Sequence, residues 1–189
     1  MQFLVKTSLT AVLGIVFATV PMSAATIFST TLSGANEVPP SGSAGTGTAL
    51  VTLVADVLNV SITFSGLGSP DGAGHIHCCG PVGVNEPIAV PFTGFPTGVT
   101  SGTYSSSFDL TSAASYSGAF LTANGGTAAS AEAALLAGLN AGQAYANVHT
   151  TNFPGGEIRG QLAAVPEPAT ALLAGGVLAA LALLRRKRA

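Results

Sequence analysis

Between residues 58 and 65 apolar and polar side chains alternate without a break. Leu58, Val60, Ile62 and Phe64 fall on one side, and Asn59, Ser61, Thr63 and Ser65 on the other. Successive strand residues point to opposite faces, so this period of two predicts a half-buried antiparallel strand. The apolar stretch 49–54 precedes it, and Ala55-Asp56 sits where a tight turn would pair the two. The same reading predicts strands at 26–32, 74–78, 88–92, 103–110, 117–121, 144–149 and 158–162. Gly- and Pro-rich pieces such as 66–74 and 94–102 separate them. One segment, 130–138, reads as helix, with Ser130 as cap, Glu132 in the first turn and Gly138 as the stop. Many short strands with one brief helix predict an all-β sandwich or Greek-key barrel. Val60, Ile62, Phe64, Ile76, Val148, Ile158 and Leu162 are its expected core.

The two ends follow a different pattern. Lys6 precedes an apolar run at 9–20, Pro21 breaks that run, and Ser23-Ala24-Ala25 offers small residues for cleavage after Ala25. This is the layout of a signal peptide at 1–25. At the other end, Pro166-Glu167-Pro168 leads into an apolar run to Leu184 and then Arg185, Arg186, Lys187 and Arg188. Sixteen apolar residues make a helix of roughly 24 Å, to be extended by its flanks if it is to cross a hydrocarbon core of about 30 Å. Four cations after the run place that end in the cytoplasm and everything before it outside. The tail at 165–189 closely resembles the PEP-CTERM sorting signal. That resemblance implies processing near the Pro-Glu-Pro motif by a membrane protease, the exosortase, after signal peptidase has acted on the other end.

Between the two ends Arg159 is the single fixed cation against seven acids, a formal charge of −6. A nucleic-acid binder needs several cations to neutralise phosphates, so that class is excluded.

Four pieces of the 26–164 region, in order, carry a second resemblance. They are Leu32-Ser33-Gly34-Ala35-Asn36-Glu37-Val38-Pro39-Pro40, His75-Ile76-His77, the helix ending in Ala137-Gly138, and the stretch from Ala144 to Leu162 with its Pro154-Gly155-Gly156-Glu157-Ile158-Arg159-Gly160 run. Together they resemble the CHRD domain. The resemblance implies an immunoglobulin-like β fold distantly similar to copper/zinc superoxide dismutases, with no established biochemical activity.

Candidate chemistry centres on the histidines. His75 and His77 share one strand face, with Ile76 turned into the core. Ala144, Ala146 and Val148 fit the inner face of the 144–149 strand, which turns Tyr145, Asn147 and His149 outward. His75, His77 and His149 thus lie on outer sheet surfaces, either as polar residues bonding to loops or as ligands of copper or zinc. A shared metal at about 2.0–2.1 Å from each nitrogen would hold the nitrogens roughly 3–4 Å apart, and binding would weaken below about pH 6. Copper/zinc superoxide dismutases also need a bridging histidine, further zinc ligands and a cationic guide; this chain has no fourth histidine and the lone Arg159 lies in a motif of its own, so dismutase activity is not expected. Cys78 and Cys79 form the chain's single cysteine pair. Reduced thiols, a vicinal disulfide, intermolecular pairing and thiolate ligation all remain open for them. Glu157 and Arg159, two apart on one strand, are expected to form a structural ion pair, or Arg159 to bond loop carbonyls, rather than to act in catalysis.

These readings describe an exported, non-enzymatic surface or matrix protein, retained in exopolysaccharide or among matrix proteins and transiently held in the membrane by its tail. Two rivals stand beside it: a copper- or zinc-binding extracellular protein using the three histidines, and a protein-interaction module.

Overall fold

The computed structural model describes residues 25–166. The signal peptide and the apolar tail expected from the sequence lie outside them. Among the described residues, no helix is long and apolar enough to cross a membrane.

Strands β1 (Thr26–Ser33), β2 (Thr46–Val54), β3 (Val57–Ser65) and β6 (Gly102–Asp109) form one run of neighbours. Strands β5 (Ile88–Pro91), β4 (Asp71–Cys78), β7 (Ala144–Thr150) and β8 (Ile158–Gln161) form the other. The runs join through β8 and β1 into a single antiparallel sheet of order β5-β4-β7-β8-β1-β2-β3-β6, while the two-residue β9 (Ala163–Ala164) pairs with the start of β1. The sheet curls into a half-barrel. Its two halves face each other across one core holding Phe28, Val51, Leu58, Ile62 and Phe64 from one side and Ile76, Val90 and Val148 from the other.

The alternation that predicted β3 reappears as strict burial of Leu58, Val60, Ile62 and Phe64. Val54 pairs with Val57 across a two-residue turn at Ala55-Asp56, with Ala55 at φ 49°. Every residue expected in the core from the sequence is buried.

Two helices lie between β6 and β7: α1 (Gly118–Ala123), which packs on β5, and α2 (Ala128–Asn140), which packs on β4, β7 and β9. The stretch 117–121, predicted as a strand, is instead the first turn of α1. Ser117 caps it by accepting from the Phe120 amide at 3.1 Å, and Tyr116, just before the cap, stacks on Phe120 of the first turn. Helix α2 starts earlier than expected. Thr127 is its cap, and Ser130 is the reciprocal member of a capping box rather than the cap. Nor does Gly138 end it. The chain turns at Gly142 (φ 66°), where Gln143 N donates to Gly138 O at 2.7 Å and Gly142 N to Leu139 O at 3.1 Å, the reciprocal pattern that closes helix C-termini. Gly138 has another use: a Cβ there would collide with Cys78 Sγ and Cys79 Sγ. Those two sulfurs form a vicinal disulfide, so of the four states the sequence left open this one is present. It seats α2 on the end of β4, beside the histidine pair.

Candidate metal centre

The register of β4 against β7 assembles the site. Ala73 pairs with His149, His75 with Asn147 and His77 with Tyr145. On the far side of β7, Asn147 pairs with Arg159 of β8. One face of three adjacent strands therefore carries His75, His77, Tyr145, Asn147, His149 and Arg159. The three imidazoles converge, with ring centroids 4.8 Å apart for His75 and His149, 5.6 Å for His75 and His77, and 6.0 Å for His77 and His149. One ligand nitrogen from each ring can be chosen so that all three lie within 4.8 Å. That spacing is looser than the 3–4 Å expected of a closed set, so the rings must draw together to share one ion.

The parity of this face follows the sequence pattern, but its exposure does not. Tyr145 and Asn147 were expected to face solvent and are buried, at 3% and 1% exposure, and His77 is buried as well. Three loops fold over the sheet and supply partners that no local pattern specifies. Loop 79–87 brings the Glu86 carbonyl to 2.7 Å from His77 Nδ1. Loop 151–157 brings the Pro154 carbonyl to 2.9 Å from His149 Nδ1. The third, 34–45, carries Glu37.

A carbonyl oxygen only accepts, so each of these two bonds fixes the proton on Nδ1 and leaves Nε2 bare. The Nε2 atom of His149 and the Nδ1 atom of His75 are buried without any hydrogen-bond partner. Metal-binding histidines are oriented by just such carbonyl acceptors on their outer nitrogen. Burial, reinforced by its two imidazole neighbours, pushes the pKa of His75 down to about 3. Burial likewise pushes His77 down to about 4, against the pull of the Glu86 carbonyl, and lowers His149. All three rings are neutral at pH 7. Proton competition for a metal therefore begins at a lower pH than a solvent-exposed imidazole implies.

Arg159 does not pair with Glu157. Its Nε lies 3.3 Å from Glu37 Oε2, its guanidinium sits 3.5 Å above the Tyr145 ring, and its Nη2 donates to Asn85 Oδ1 at 2.5 Å. Tyr145 in turn stacks on His77 at 4.7 Å. Glu157 lies just before β8, and its carboxylate is taken up elsewhere. It accepts from Ser43 Oγ at 2.5 Å, Gly68 N at 2.6 Å and Thr150 Oγ1 at 2.6 Å, which ties three chain segments together. The residues that sequence reasoning missed are Glu37 and the central role of Asn147. For Asn147 the signal was available, since it shares the parity of His149. Glu37 lies more than a hundred residues from Arg159 in the chain, and only the fold joins them.

A model of the CHRD domain matches residues 28–162, and a model of the PEP-CTERM protein-sorting motif matches residues 164–188. No curated protein and no solved structure matches the chain. The sorting motif implies exosortase-dependent export to the cell envelope and surface. The match over 28–162 takes in the curled sheet, both helices and the histidine cluster, and the chain belongs to the CHRD domain family.

Proposed function

We propose that this chain is a surface-retained, non-enzymatic metal-binding protein whose CHRD domain, 26–164, is released from a signal peptide at 1–25 and a sorting tail at 165–189, and takes up copper or zinc through His75, His77 and His149. The observation that carries this reading is that His75 Nδ1 and His149 Nε2 are buried beside the His77 ring without any hydrogen-bond partner. A buried polar atom without a partner is costly, and three imidazoles suit both metals. Polar sheet-face histidines bonding to loops, the other reading of these residues, account for the Nδ1 atoms of His77 and His149 and leave His75 Nδ1 and His149 Nε2 unexplained. Retention in exopolysaccharide or among matrix proteins completes the reading, supported by the export signal alone.

Calorimetric titration with Cu(II) and Zn(II) tests it. The full-length chain should take up one equivalent, and His149→Ala should bind at least ten-fold more weakly. Equal weak binding by both proteins would leave the histidines structural.

The sorting half has its own measurement. In a host with an exosortase, the intact mass of the surface form should correspond to a chain ending close to Pro166. A mature form still carrying Arg185 to Arg188 would mean a plain membrane anchor.

A further inference from the structure

Asn147 stands at the middle of the histidine face, opposite His75 on one side and Arg159 on the other, at 1% exposure. Its carbonyl oxygen Oδ1 lies 3.1 Å from His77 Nε2. The proton of the His77 ring is already committed to the Glu86 carbonyl through Nδ1, so Nε2 presents a lone pair. Oδ1 also presents lone pairs only. Two acceptors face each other with no hydrogen between them.

Turning the amide over does not resolve this. On the opposite side, Asn147 Nδ2 and Glu37 Oε1 converge on the space above Gly156, and Glu37 is held by Arg159. The Asn147 amide nitrogen faces that carboxylate and helps hold it charged, and a reversed amide would set Oδ1 against it. Glu37 and Arg159 therefore hold the carbonyl toward His77. His75 Nδ1 and His149 Nε2, buried without a hydrogen-bond partner, lie on the same cluster of rings, so four atoms able to present a lone pair share this face.

On the reading that the three histidines hold a metal, we propose that Asn147 Oδ1 is the fourth ligand, so that the site is a closed set of three nitrogens and one oxygen with no position left for water or substrate. Two ligand atoms each about 2.0–2.1 Å from a tetrahedral ion stand roughly 3.4 Å apart, close to the 3.1 Å between His77 Nε2 and Asn147 Oδ1. This pair is already set for an ion, and the other two rings close onto it. Sites with four protein ligands are structural, whereas catalytic sites keep one position open. The proposal thus assigns the bound metal to holding β4, β7 and the covering loops together rather than to chemistry.

Co(II), a spectroscopic stand-in for Zn(II), tests this on the full-length chain purified in detergent. Wild type should give the intense visible bands of four-coordinate Co(II), unchanged by excess azide. Asn147→Ala should still bind, about 10–100-fold more weakly as for losses around a metal, and its spectrum should shift with azide as the vacated position fills. Asn147→Asp, which keeps an oxygen in place, should resist azide as wild type does; it also serves as the test if the alanine variant fails to fold. A wild-type spectrum that shifts with azide overturns the proposal, as does an Asn147→Ala protein matching wild type in affinity and azide response. Absence of any Co(II) or Zn(II) binding by wild type sinks the three-histidine reading itself, a result distinct from either of these.

Discussion

Arg159→Ala is expected to lower the free energy of unfolding by about 3–5 kcal/mol, measured by urea denaturation of the metal-free protein. The side chain is buried, and it is the partner that keeps Glu37 charged inside the protein. Burial raises the pKa of Glu37, and Arg159 is the largest influence opposing that rise. Without the guanidinium, Glu37 must either stay ionised and unpaired or take up a proton in a place shaped for a carboxylate. The same change strips the cation from the Tyr145 ring and leaves Asn85 Oδ1 without its donor. Arg159→Lys should recover only part of the loss, because an ammonium cannot stack on the ring and reach Glu37 and Asn85 together. Replacing Glu37 by Leu in the Arg159→Ala background should restore stability relative to the single variant, since an unpaired acid then no longer has to be buried. A loss below about 1 kcal/mol for Arg159→Ala would place the pair among ordinary surface bridges.

Stability of the metal-free protein should be level above about pH 6.5 and should fall as the solution is acidified toward pH 4. The sign follows from the direction of the shifts. Each of the three histidines has a folded-state pKa below its unfolded value, so between the two the unfolded chain binds more protons than the folded one, and acid favours unfolding. For His77 the window runs from 6.5 down to about 4. At about 1.4 kcal/mol per pKa unit this one residue contributes up to ~3 kcal/mol. His75 extends the window to about 3. Glu37 acts in the opposite sense just above its ordinary value of 4.5, since its pKa is raised, but one acid stands against three imidazoles. Thermal melts from pH 4 to pH 8 give the measurement. A melting temperature that stays flat between pH 6.5 and 4.5 would mean the rings are not buried as neutral groups. Saturating Zn(II) should raise the plateau by mass action, because only the folded chain gathers the ligands.

Much of this architecture is legible in the chain because strands write their faces as a period of two. Leu58 to Phe64 specify the inner face of β3, and the same parity puts His75, His77 and His149 on one surface. Two kinds of feature were not legible. The first depends on ends rather than faces. Residues 117–121 are too short to show a period, and the caps at Ser117 and Thr127 decide what they become. The second depends on contacts distant in sequence. Glu157 and Arg159 look like partners because they are two residues apart, yet Glu157 precedes the strand and its carboxylate meets Ser43, Gly68 and Thr150. Arg159 finds Glu37 because the 34–45 loop folds back over β8. The covering of the histidine face has the same origin. The strands show which residues share the surface, and loops from three other parts of the chain determine that its His77, Tyr145 and Asn147 are shut off from water.

The pairing of β1 with both β2 and the C-terminal strands bears on the order in which an exported chain reaches its folded state. Emerging amino end first, the chain can form the β1-β2-β3 meander at once, since each strand follows its neighbour closely. One side of β1 then stays open until the last segment arrives, because its partners are Arg159, Ala163 and Ala164, and Val165 N donates to Ile27 O at 2.8 Å. The first and last strands of the described fold are therefore zipped together only when translocation is almost complete. Until then an unpaired edge faces the periplasmic or extracellular space, where a sister chain could dock against it. The final zippering sets Val165, the residue just before Pro166, beside Ile27 at the start of β1, so the two ends of the described fold close side by side.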